Sequence, residues 1–62
     1  MSGKLKKVLE YANTKAQYEL LVSIYTKMVL RNELTSQEQI AFQKALALFE
    51  EYLKQMEKEL KV

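Results

Sequence analysis

A chain of 62 residues with a net charge of +2 at pH 7 has room for one small domain, and so slight a charge is a weak electrostatic footprint for a nucleic-acid binder. It contains no Cys, His, Asp, Trp or Pro and a single Gly, which excludes disulfides, thiolate zinc sites, His or Cys catalysis and Gly-rich phosphate loops. Ala, Leu, Glu, Lys and Gln dominate and helix breakers are missing from the body of the chain, so the composition predicts an all-α fold.

Residues 1–3, Met-Ser-Gly, are expected to form a disordered N-terminus, and Gly is third rather than second, so N-myristoylation is not indicated. Lys4, Lys6 and Lys7 have the look of a signal-peptide start, but Glu10 interrupts the uncharged run that should follow. The longest dense apolar stretch, Leu20 to Leu30, includes Ser23, Thr26 and Lys27 and is too short to span a bilayer. The expectation is a cytoplasmic protein with no membrane span.

From about Lys4 to Arg31 the chain reads as a first helix with two apolar stripes that do not coincide. Leu5, Leu9, Ala12, Ala16, Leu20 and Ile24 fall on one side; Tyr11, Tyr18 and Tyr25, seven residues apart, fall on the other with Leu21, Val22, Met28 and Val29. A kink near 13–14, where Thr14 and Gln17 offer a capping box, is the alternative, and it leads to a monomeric three-helix bundle. The absence of Gly or Pro there favours one helix.

The reversal is expected between Arg31 and Glu38. Asn32 tolerates a left-handed conformation, Lys27 and Arg31 place positive charge at the carbonyl end of the first helix, and Thr35 with Glu38 has capping-box spacing, as does Ser36 with Gln39 one residue later. The second helix, about Ser36 to Lys61, shows Phe42, Ala45, Phe49, Tyr52 and Met56 at alternating three- and four-residue spacing, flanked by Leu46, Leu53 and Leu60. Its other face is polar, with Glu50–Lys54 and Glu57–Lys61 in the favourable order for i, i+4 pairs.

Folding the arms back on one another gives an antiparallel helical hairpin in which paired residue numbers sum to about 67. Tyr25 then meets Phe42, Tyr18 meets Phe49 and Tyr11 meets Met56, while a basic first arm lies beside an acidic second one. That register leaves the stripe Leu5, Leu9, Ala12, Ala16, Leu20 and Ile24 uncovered. A two-helix hairpin cannot bury both stripes, so dimerisation into a four-helix bundle, with the six-residue stripe as dimer or partner interface, is the expected solution.

No constellation in the chain carries chemistry. Glu50 and Glu51 are adjacent and so turned about 100° apart on a helix, which suits a solvated face rather than a catalytic pair. No catalytic, metal or cofactor-binding residue is expected, and the chain reads as a non-enzyme. The tyrosine heptad, beside Lys4, Lys7, Lys15 and Arg31 as possible nucleic-acid contacts, fits a stacking platform for single strands, but its pairing with Phe42, Phe49 and Met56 favours core. In outline the chain resembles the plasmid Rop-type hairpin, which dimerises into a four-helix bundle and binds RNA hairpins; the likeness is in length and architecture, without a shared motif. The leading expectation is a small protein-interaction module, a regulator, inhibitor or chaperone, that binds itself or a helix of another protein. A Rop-like RNA- or DNA-binding dimer is the alternative.

Overall fold

The computed structural model describes residues 3–61 and consists of two antiparallel helices, α1 (Gly3–Leu30) and α2 (Ser36–Leu60). Gly3, expected to be disordered, is the first residue of α1, and Met1 and Ser2 lie outside the described residues. The hairpin measures 46 × 15 × 15 Å. Among the described residues no helix is long and apolar enough to cross a membrane.

The turn is built as its residues dictate. Asn32 adopts φ 58°, and the N–H groups of Asn32 and Glu33 donate to the carbonyls of Val29 and Met28, both at 3.0 Å. This is a Schellman closure, which satisfies carbonyls that the end of α1 would otherwise leave open. Three residues later Thr35 caps α2: its hydroxyl accepts from the Glu38 N–H at 3.1 Å, and the Glu38 carboxylate accepts from the Thr35 N–H at 2.9 Å. The alternative box starting at Ser36 is not used, because Ser36 is already the first helical residue. Thr35→Ala is therefore expected to lower stability by about 1 kcal/mol, while Ser36→Ala leaves the denaturation midpoint nearly unchanged; urea titration of the two variants checks the assignment.

The kink at Asn13-Thr14 and the three-helix bundle that depends on it do not form. Helix α1 runs unbroken, and the Thr14 hydroxyl donates to the Glu10 carbonyl at 2.8 Å, back along its own helix. A hydroxyl so engaged caps nothing.

The tyrosine register holds. Tyr25 and Phe42 have ring centroids 5.1 Å apart, and Tyr18 and Phe49 6.3 Å apart. Tyr11, expected near Met56, donates its hydroxyl to the adjacent residue, Glu57, at 2.6 Å. On α2 the seam is rotated relative to the expected stripe. Leu53 and Met56 are buried, at 6% and 8% exposure, whereas Tyr52 is 53% exposed and Ala45 is exposed too. Phe42, Leu46, Phe49, Leu53, Met56 and Leu60 are the more covered positions, spaced four-three-four-three-four. That spacing keeps one line of side chains against a partner helix over the whole length, as in a coiled coil. Neither expected i, i+4 ion pair is among those formed by the described residues. Glu57 receives Tyr11 instead, and Lys61 leaves the helix at φ 59°.

Candidate interaction surface

The two long flanks of the seam differ in chemistry. On one flank the three tyrosines meet a second heptad, on α2. The Tyr11 hydroxyl donates to Glu57, the Gln43 amide donates to the Tyr25 hydroxyl at 2.9 Å, and Glu50 stands beside Tyr18. Gln43, Glu50 and Glu57 are themselves seven residues apart, so an antiparallel pair of heptads brings each level with one tyrosine. The Tyr11 hydroxyl is held above the usual tyrosine range, first by its hydrogen bond to Glu57, then by desolvation and that carboxylate's charge. Tyr18 is raised chiefly by desolvation and secondarily by Glu50. Lys15 lies 5.8 Å above the Tyr11 ring. A depression here of about 270 Å³ has Tyr18 and Leu53 among its lining residues and charged side chains, Lys15, Glu19, Glu50, Lys54 and Glu57, around them.

The other flank is open and apolar near the turn; toward the far end Tyr52 lies in a depression with Lys7, Glu10 and Glu59. Between the helices near the turn runs a groove of about 550 Å³ lined by Leu21, Met28, Leu34, Ala41, Phe42, Ala45 and Leu46, with Glu38 its one polar lining residue. The apolar surface continues past both edges. On α1, Ile24 lies one helical turn from both Leu21 and Met28, and Leu20 one turn before Ile24; they are 40% and 61% exposed. On α2, Leu48 and Tyr52 continue the line begun by Ala41 and Ala45, and both are exposed. The exposure of Leu48 and Tyr52, and their union with Leu21 and Met28, is not apparent from either helix alone; the alternation of Ala41, Ala45, Leu48 and Tyr52 at four-three-four spacing is its signal in the sequence.

All six residues of the expected stripe are exposed, and their line winds round α1. Ile24, one helical turn from the groove residues Leu21 and Met28, is nearest the groove, and Leu20 lies one turn before it. Leu5, Leu9, Ala12 and Ala16 lie farther round α1, on its side away from α2. The reason is the spacing: four-three-four-four-four averages more than 3.6 residues, so the line winds slowly round the helix.

The cations proposed for nucleic acid are dispersed. Lys4 and Arg31 stand about 40 Å apart along α1 at 1.5 Å per residue. Lys7 pairs with Glu59 at 3.6 Å, and Arg31 with Glu33 at 3.7 Å. Lys15 sits on the tyrosine flank with Tyr11. Of the tyrosines in the stacking platform, Tyr18 packs against Phe49 and Tyr25 against Phe42, and Lys15 lies over the Tyr11 ring. Comparison with protein-family models, curated proteins and solved structures finds nothing that matches this chain.

Proposed function

We propose that the chain is a small, non-enzymatic interaction module of the regulator, inhibitor or chaperone type, which works by laying an apolar helix into the groove between α1 and α2. The observation that carries this reading is the asymmetry of the flanks. One carries tyrosine hydroxyls bonded to Glu57 and Gln43 with lysines and glutamates beside them; the other opens near the turn into the groove of Leu21, Met28, Ala41 and Ala45, with exposed Ile24 one helical turn from Leu21 and Met28 and exposed Leu48 beyond Ala45 on α2. Contiguous exposed apolar surface of this kind marks an association site more often than a free surface. Amphipathic helices recognise such grooves through side chains at one-turn spacing. The partner is a helix of this chain's own kind, completing a four-helix bundle, or one from another protein. The absence of His, Cys and Asp from the sequence supports the non-enzymatic part.

Nucleic acid is the reading to exclude by experiment. Titration with structured RNA and duplex DNA, at low and at physiological salt, is expected to give no saturable binding. Saturable micromolar binding that weakens steeply with salt and is lost when Lys4, Lys7, Lys15 and Arg31 are replaced by Gln would overturn the proposal, because each neutralised phosphate releases counterions.

A further inference from the structure

We infer that the occupant of the groove is a second copy of this chain, related by a two-fold axis parallel to the helices, so that both turns lie at the same end and each α1 lies beside the α2 of the other copy. This rests on the groove being an association face.

Three observations lead there. The first is area. The hairpin exposes 5162 Å², whereas a compact monomer of its mass exposes about 4,200 Å². The excess, roughly 1,000 Å², matches the ~800 Å² that each partner buries in a stable interface.

The second is fit. A two-fold axis parallel to the helices permits no sliding, so residues level within one hairpin are level across the interface. In the register fixed by Tyr25–Phe42 and Tyr18–Phe49, Ile24 is level with Gln43 and Leu20 with Ala47. The protruding Ile24 of one copy then stands between the levels of Ala41 and Ala45 of the other, where the small side chains leave room, and Leu20 stands between the levels of Ala45 and Leu48. Large against small is how bundle layers interdigitate.

The third is charge, which decides the direction. With the turns at opposite ends, α1 would lie antiparallel to its own copy. Lys4, Lys6 and Lys7 would then sit level with Lys27 and Arg31 of the other copy, so like charges would meet at both ends of the seam between the two first helices. With the turns together, each seam joins a basic helix to an acidic one, as within the hairpin, where Lys7 already meets Glu59. Two arrangements that share an apolar face are told apart by such juxtapositions.

The chain has no cysteine, so Glu33→Cys in the turn takes one nitroxide label per copy, and pulsed electron paramagnetic resonance reads the separation of the two turns. With circular dichroism showing the labelled chain folded and sedimentation showing a dimer, the expected separation is below about 25 Å, since bundle helices lie about 8–10 Å apart. A dimer with labels near the 46 Å length of the hairpin overturns the same-end arrangement while leaving the groove as the association face. A folded monomer with no dipolar coupling overturns the second copy as occupant and leaves the groove to a foreign helix. Failure of the proposed function itself shows separately, as salt-sensitive nucleic-acid binding.

Discussion

Leu53→Ala is expected to unfold most of the population at room temperature. Leu53 is the most buried apolar side chain of the seam, at 6% exposure, and truncating a buried Leu costs about 2–5 kcal/mol in lost transfer free energy and residual cavity. A core of this size rarely supplies more than about 3–5 kcal/mol. Far-UV circular dichroism with urea titration measures the loss. Leu30→Ala is the control: Leu30 is strongly exposed beside the turn, and its midpoint should move by no more than about 0.5 kcal/mol equivalent. A seam centred on Tyr52, as alternating spacing on α2 alone suggests, predicts instead that Leu53→Ala is mild.

The second large effect concerns the groove rim. Changing Leu20 and Ile24 together to Glu is expected to raise the dissociation constant for self-association at least about 100-fold, because burying two carboxylates in an apolar seam costs several kcal/mol and each 1.4 kcal/mol is tenfold. Both residues are exposed in the isolated hairpin, so the loss appears first in sedimentation and then, through mass action, in helicity. Leu5 and Leu9 changed to Glu provide the contrast. They lie on the side of α1 away from α2, and the structure predicts that this variant associates normally. If the pair at Leu5 and Leu9 abolishes association while the pair at Leu20 and Ile24 does not, the outer stripe is the interface and the groove is not.

The turn and the register were legible in the sequence because local chemistry fixes both. Asn32 supplies the left-handed residue, Thr35 and Glu38 close a reciprocal box, and the seven-residue repeat of Tyr11, Tyr18 and Tyr25 finds Phe42 and Phe49 at matching separation from the turn. What the sequence left open is rotation. A turn of α2 by some tens of degrees exchanges Tyr52 for Leu53 at the seam, and helical spacing read at a fixed angle does not resolve neighbours that close. The same holds for the first arm. Spacing identifies Leu5, Leu9, Ala12, Ala16, Leu20 and Ile24 as apolar and uncovered by α2, but only the placement of Leu21 and Met28 along the groove separates the last two from the first four. The partner of Tyr11 was hidden for another reason: Glu57 reads as a surface charge until an antiparallel neighbour brings a hydroxyl to it.

Sedimentation equilibrium of the unmodified chain, with circular dichroism on the same samples across a wide concentration range, tests most directly whether the hairpin's apolar face has to be covered. The expected result is a mass approaching twice 7.3 kDa at high micromolar concentration, with helicity falling as dilution separates the copies. A 7.3 kDa monomer that keeps its full helicity over the whole range, with a high and concentration-independent unfolding temperature, would contradict it.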